Sequence, residues 1–220
     1  MIEVSKLTKV YPGGVEAVRG IDFEVQPGEA FGLLGPNGAC NSTLLQLATG
    51  QLRPSQGAVR VLGQSVWDNP ALNRVVGLCP EQDAFYEWMT GLDFVRTCAE
   101  LSGMGRKAAT AAAVDAMTRV GMAENMNRAV RGYSKGMRQR TKLAQSLVHK
   151  PRVLFLDEPL TGTDPVARRD MIEVIRDLAA NGCSVLVSSH VLHEVQALTS
   201  RIVLLHRGRL VAEGNVADIR

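Results

Sequence analysis

The sequence predicts an α/β protein built on a largely parallel sheet covered by helices, with a helical insertion between two parts of that sheet. Three observations carry this. The second half alternates short apolar runs with segments of helical periodicity, as in Val153-Leu154-Phe155-Leu156 followed by residues 166–180. Residues 91–150 read as helix and include the alanine-rich stretch 106–120. A fully apolar run, residues 30–34, leads into Gly35-Pro36-Asn37-Gly38-Ala39-Cys40-Asn41-Ser42-Thr43.

Ile2-Glu3-Val4-Ser5-Lys6-Leu7 and Ile21-Asp22-Phe23-Glu24-Val25 partly alternate apolar and polar residues, as half-buried strands do. Gly13-Gly14 and Pro27-Gly28 break them as turns. Residues 30–34 are a strand, 42–49 a helix, and 59–62 and 75–78 further short strands. After the helical stretch, 153–156 is a buried strand. Residues 166–180 are a helix with Ile172, Ile175 and Leu178 on one face by their spacing of three. Residues 184–187 are a strand, 191–198 a helix, and 202–205 and 209–211 closing strands. Residues 215–220 read as the beginning of a helix.

A chain of 220 residues makes one large domain, or one domain with a subdomain. Apolar residues make up 45% and charged residues 21%, with a net charge of +3, which does not by itself indicate nucleic acid. Cys40, Cys79, Cys98 and Cys183 are scattered, with no C-x-x-C pair, which points away from zinc or a redox pair and toward a reducing compartment. The first residues, MIEVSKLTKVY, have no apolar core of a secretion signal. Apolar runs reach about five residues, against the roughly 20 that a membrane helix needs. The chain is expected not to span a membrane, though it can dock on a protein that does.

Residues 35–43 have the outline of a phosphate-binding loop, G-x-x-x-x-G-K-[ST], between a strand and a helix. Gly35 and Ser42 stand where that pattern wants them. Cys40 and Asn41 stand where it wants Gly and Lys. Alone, Gly-Pro-Asn-Gly also makes an ordinary turn, so the rest of the chain decides. Asp157 and Glu158 end an apolar strand, where ligands bind in a parallel sheet. An acid there can hold Mg²⁺ and a second can orient an attacking water; the alternative is a pair of helix-capping acids. Gly136 lies in Tyr133-Ser134-Lys135-Gly136-Met137-Arg138-Gln139-Arg140, a Ser/Gly turn opening a helix and so an anion site. Ser188-Ser189-His190 ends another buried strand, and His190 either reaches a phosphate or caps a helix.

In the order and spacing of these motifs, nearly the whole chain resembles the nucleotide-binding subunit of ABC transporters. The resemblance implies a P-loop NTPase-type core sheet, about 1–90 and 150–220, with an N-terminal antiparallel β subdomain and an inserted helical subdomain, about 91–150. Residues 35–43 look like the Walker A motif and Tyr11 like the aromatic residue that stacks on adenine. Gln82 resembles the glutamine that touches Mg²⁺ and couples to the membrane partner. Ser134, Lys135 and Gly136 stand in the signature, YSKGM in place of LSGGQ, a variant that resembles exporters. Asp157 matches the Walker B acid, Glu158 the catalytic carboxylate, Asp164 the D-loop and His190 the switch histidine. The cofactors implied are ATP and Mg²⁺, the metal held by Ser42, Gln82 and Asp157. Two such domains, as homo- or heterodimer, sandwich two ATP molecules head to tail, and each site joins the Walker motifs of one subunit to the signature of the other. Membrane-spanning permease subunits complete the assembly on the inner face of the cell membrane. Phe85, Tyr86 and Trp88 are expected either to form a groove for a permease helix or to pack under the helical insertion. A soluble relative acting on DNA or ribosomes usually has two such domains or a long coiled coil, and this chain has neither.

Asn41 brings no charge to the phosphates. A hydrogen bond to a charged group contributes about 1.5–3 kcal/mol, so binding is expected to weaken about 10- to 150-fold. Removing one positioned electrostatic donor costs about 10²–10³ in rate. Cys40 adds about 1–2 kcal/mol of strain if its backbone is left-handed. The expectation is therefore an intact family role with a weak site of its own, or a degenerate regulatory subunit that completes a partner's site.

Overall fold

The computed structural model describes residues 1–36 and 39–218. Its strands are β1 (Ile2–Val10), β2 (Glu16–Val25), β3 (Ala30–Leu34), β4 (Gln56–Val61), β5 (Gln64–Ser65), β6 (Val76–Cys79), β7 (Val153–Asp157), β8 (Ser184–Ser189), β9 (Arg201–His206) and β10 (Arg209–Asn215). The α-helices are α1 (Asn41–Ala48), α2 (Gly91–Leu101), α3 (Arg106–Arg119), α4 (Lys135–Leu147), α5 (Pro165–Ala180) and α6 (Leu192–Leu198).

They build two sheets. One is four-stranded and antiparallel, in the order β2-β1-β4-β5; the other is six-stranded, in the order β10-β9-β3-β8-β7-β6. In the second, β9, β3, β8, β7 and β6 run parallel and β10 closes the edge antiparallel. Parallel strands need crossovers, which the helices supply. Strands β7 and β8 are buried at every residue, which is why they read as unbroken apolar runs.

Two cores flank the six-stranded sheet. One joins it to the antiparallel sheet and α1, with Phe23 stacked on Phe31 at 5.5 Å. The other joins it to α2, α3, α4 and α5 through Met117, Leu143, Leu154 and Ile175. Gly32 of β3 makes room for α6, since a Cβ there would lie 2.2 Å from Val195 Cγ1.

Three sequence expectations change. Strands β1 and β2 run to 9 and 10 residues, longer than the alternation in the sequence suggests. Register shifts between Val4 and Leu7 and around Lys9 break the period of two. Helix α5 buries Ala167, Met171 and Ile175, while Ile172 and Leu178 pack at the margin of the core. Residues 216–218 form a turn rather than the start of a helix, because β10 stays paired to β9 through Asn215 and Val216 N–H bonds Ser200 O.

Helix α4 and the residues just past its end are fastened along β6 and the loop after it by polar side chains three or four residues apart. His149 Nε2 meets Val76 O at 2.9 Å, and Gln145 Nε2 donates to Leu78 O at 2.6 Å. Lys142 Nζ contacts Glu81 O and Asp83 Oδ1, the latter at 3.1 Å. Arg138 forms a bidentate pair with Glu87 at 2.7 and 2.8 Å.

Candidate nucleotide site

A cleft of about 450 Å³ opens at the carboxyl ends of β3, β7 and β8. Gly35, Pro36, Ala39, Cys40, Asn41, Ser42 and Thr43 form one wall, and Glu81, Asp157, Glu158, Thr161 and His190 the other. The expected Asn37 and Gly38 lie outside the described residues.

Cys40 occupies the N-cap of α1 with φ 74° and ψ 25°, in the left-handed region where glycine is favoured. Burial pushes its thiol pKa up. Asn41 does not extend across the cleft. Its Nδ2 donates to Gly35 O at 3.4 Å, and its Oδ1 is buried with no hydrogen-bond partner among the described residues. The side chain therefore crosses the base of the loop, and its acceptor there is unsatisfied among the described residues. Tyr11 is half-buried, its hydroxyl 3.5 Å from Thr43 Oγ1, which brings its ring beside the loop.

Asp157 is buried and accepts from Ser188 Oγ at 2.5 Å. Burial raises its pKa, opposed by hydrogen bonds from Ser188 and Ser42. Asp157 and Ser42 thus face each other across the cleft, hard oxygen donors of the kind that suit Mg²⁺. Glu158, with φ 47°, receives donors at both carboxylate oxygens. Oε1 accepts from His190 N–H at 2.9 Å and faces His190 Nδ1 at 2.8 Å. Oε2 accepts from Thr161 Oγ1 at 3.2 Å and from Ser189 Oγ at 3.3 Å. The Ser189 hydroxyl is shared with buried Glu194, at 3.2 Å, which Arg168 neutralises at 3.6 Å. A carboxylate offers about four acceptor positions, so Glu158 is close to saturated.

Gln82 departs from the expected place, while the signature and D-loop residues, expected to complete a partner's site, stand outside this chain's own cleft. Gln82 is exposed and does not line the cleft; its neighbour Glu81 does. The loop after β6 has no periodicity from which to tell adjacent residues apart, and the side chain facing the site is a carboxylate. Ser134, Lys135 and Gly136 stand outside the cleft at the start of α4, where Ser134 Oγ caps Met137 N–H at 3.2 Å. Lys135 lays its stem across Gly162, where a Cβ would fall 2.4 Å from Lys135 Cδ. Asp164 caps α5 through Val166 and Ala167 N–H at 3.0 and 2.9 Å, and these bonds, that from Ala167 first, hold its pKa low. Sequence reasoning missed Gln139, whose buried amide bonds the Glu158 and Pro159 carbonyls. Its signal was a polar residue in the first half of a helix that the core covers.

The ABC transporter family model matches residues 18–161. The chain is 35% identical over its full length to the ABC transporter ATP-binding protein YxlF of Bacillus subtilis, covering 72% of that protein. It is 36% identical over its full length to the daunorubicin/doxorubicin resistance ATP-binding protein DrrA of Streptomyces peucetius, covering 66% of it. The chain thus spans about two thirds of the length of such relatives. An ATP-binding subunit of an ABC transporter superposes with TM-score 0.90 at 28% identity, over 100% of this chain and 92% of that one. A dimeric ATP-binding cassette bound to ADP and Pi superposes with TM-score 0.92 at 20% identity, over 98% and 99%, and shows the same fold. A phosphate-loop cleft with two strand-end carboxylates and this breadth of likeness lead to one conclusion: the chain belongs to the ABC transporter ATP-binding family.

Proposed function

We propose that this chain is the ATP-binding subunit of an exporter, coupling ATP binding and hydrolysis in a head-to-tail dimer to separate membrane subunits. The observation that carries the reading is the cleft itself, with the phosphate loop on one wall and Asp157, Glu158 and His190 on the other. The exporter assignment is supported by the resistance functions in the names of relatives, daunorubicin/doxorubicin for DrrA and linearmycin for LnrL of Bacillus subtilis. Among the described residues no helix is long and apolar enough to cross a membrane, so the path for the substrate belongs to other segments or chains.

When bound, Mg²⁺ supplies charge neutralisation on the phosphates, with Ser42 and Asp157 as its protein ligands. The chain's own residues do the rest. The α1 N-terminus and loop N–H groups cradle phosphate. Tyr11 flanks the base. Glu158 orients the attacking water and accepts its proton. Its acceptor positions are nearly filled in this structure, so one of the Thr161, Ser189 or His190 bonds yields when water enters. A second chain bringing Ser134, Lys135, Gly136 and Asp164 against the cleft is the natural trigger.

Own-site hydrolysis is weak in this reading, because Asn41 is neutral and folded back to Gly35, and Cys40 holds a glycine conformation. ATP turnover of the wild-type chain beside Cys40→Gly/Asn41→Lys tests it. We expect the revertant to be faster by about 10²–10³; equal turnover overturns the reading. The alternative, a regulatory subunit that completes a partner's site, is favoured by the exposed signature on an intact α4 cap. In that case the chain alone forms no ATP-dependent dimer, and sedimentation with ATP distinguishes the two.

A further inference from the structure

Gln139 is 4% exposed, in the second turn of α4. Its Nε2 donates to Pro159 O at 2.7 Å and Glu158 O at 3.3 Å. These carbonyls belong to the residue with the central carboxylate of the cleft and to the residue after it. Glu158 sits at φ 47°, a conformation that a residue with a side chain keeps only when its surroundings impose it. On its amino side the constraint is β8, since Glu158 N–H bonds Ser188 O at 3.2 Å and Ser188 Oγ at 3.3 Å. On its carboxyl side the constraints are the Thr161 N–H, which bonds Glu158 O at 3.2 Å, and Gln139, which alone of the two reaches in from another element.

The other flank of α4 is fastened to residues 76–87 through Arg138, Lys142 and Gln145, and through His149 just past its end. Among the described residues, Gln139 is the α4 side chain that hydrogen-bonds the loop after β7. A buried amide donor that loses both acceptors carries its full desolvation penalty. When α4 shifts, the backbone at 158–159 therefore follows.

We propose that Gln139 is a positioning residue, whose grip on the Glu158 and Pro159 carbonyls makes the aim of the Glu158 carboxylate depend on where α4 stands against the sheet. This rests on the reading of Glu158 as the carboxylate that works on water. It gives the helix that opens with the signature a direct mechanical hold on the hydrolytic group of its own chain.

Gln139→Met keeps the length and volume of the side chain and removes the donor. The His190 backbone amide, bonded to Glu158 Oε1 at 2.9 Å, reports the carboxylate's position in ¹⁵N-labelled protein without turnover. In Gln139→Met we expect its resonance to move upfield and its hydrogen exchange to quicken by about tenfold. Gln145→Met removes a comparable bond between α4 and the Leu78 carbonyl and leaves that amide unmoved. If Gln139→Met does not fold, Gln139→Asn, which draws the amide back by one methylene, gives the same displacement. In the Cys40→Gly/Asn41→Lys background, Gln139→Met lowers kcat by up to about 10²-fold with little change in KM. An unmoved His190 amide, or an equal shift in Gln145→Met, overturns the positioning role. A shifted amide with no turnover in that background supports the positioning role and overturns the ATPase reading instead.

Discussion

The His190 imidazole stands 2.8 Å from the Glu158 carboxylate, Nδ1 to Oε1, and the backbone N–H of the same residue bonds the same oxygen at 2.9 Å. The hydrogen bond and charge of Glu158 raise the His190 pKa above the ordinary imidazole value, with smaller contributions from Glu194 and Glu81. A histidine whose folded pKa is raised contributes stability that is fully present below its unfolded pKa, about 6.5. That contribution is lost as pH rises through the higher folded value. The ring is half exposed, so the gain is that of a surface pair and small. NMR titration of the His190 ring should give a pKa above 6.5, and Glu158→Gln should bring it back toward 6.5. A titration that Glu158→Gln leaves unchanged would show that the pair is not formed in solution.

The left-handed backbone of Cys40 is testable without nucleotide. Cys40→Gly removes a Cβ from φ 74°, which relieves about 1–2 kcal/mol. The sulfur's packing against the neighbouring core offsets part of this. We expect a net gain of about 1 kcal/mol, or about 2–4 °C in Tm for a chain of this size. Calorimetry of the single variant measures it, and a lower Tm in Cys40→Gly would mean that packing outweighs strain.

Much of the fold was legible because burial writes a simple pattern. β7 and β8 are covered on both faces and read as apolar runs, and α3 reads from its alanines. β1 and β2 were legible only in part, since bulges shift their faces mid-strand. The site divides in the same way. Glu158 and His190 follow buried strands, and that position alone suggested they would line the cleft, as they do; Cys40 stood out by its departure from a glycine. The bonds that join Glu158 to Ser189 and His190 span 31 and 32 residues, and no local pattern announces them. Glu81 and Gln82 differ by one place in an aperiodic loop, where only the chain's path selects which faces the cleft.

Glu81 brings a third carboxylate to a wall that already holds Asp157 and Glu158. A carboxylate within several ångströms of a phosphate in a solvent-filled cleft opposes it by about 1 kcal/mol. With Asn41 in place of a lysine, no side-chain cation from the loop cancels that repulsion. Glu81→Gln should therefore tighten nucleotide binding by about fivefold, more at low salt than at high salt. Titration calorimetry with ADP at two ionic strengths measures both effects. Weaker binding in the variant would mean that Glu81 contributes through a metal ion instead.

The aromatic segment after β6 splits into a packed and an unpacked part. Phe85 lies edge-on to Phe94 at 4.8 Å and under the Arg138 guanidinium at 5.8 Å, so it belongs to the helical layer. Tyr86 and Trp88 are 61% and 76% exposed, with their rings 6.1 Å apart. Exposed aromatics of this kind mark contact surfaces, and a few of them carry most of the energy of an interface. The Arg138–Glu87 pair between them fixes the segment to α4. Phe85→Ala should cost about 1.5 kcal/mol or more in denaturant unfolding. Tyr86→Ser/Trp88→Ser should stay within about 0.5 kcal/mol of wild type and weaken binding to the membrane subunits at least about tenfold. Unfolding curves beside a pull-down on membranes that carry those subunits separate the roles. A double variant that unfolds early would place the two rings in the core, and one that binds normally would place the docking surface elsewhere.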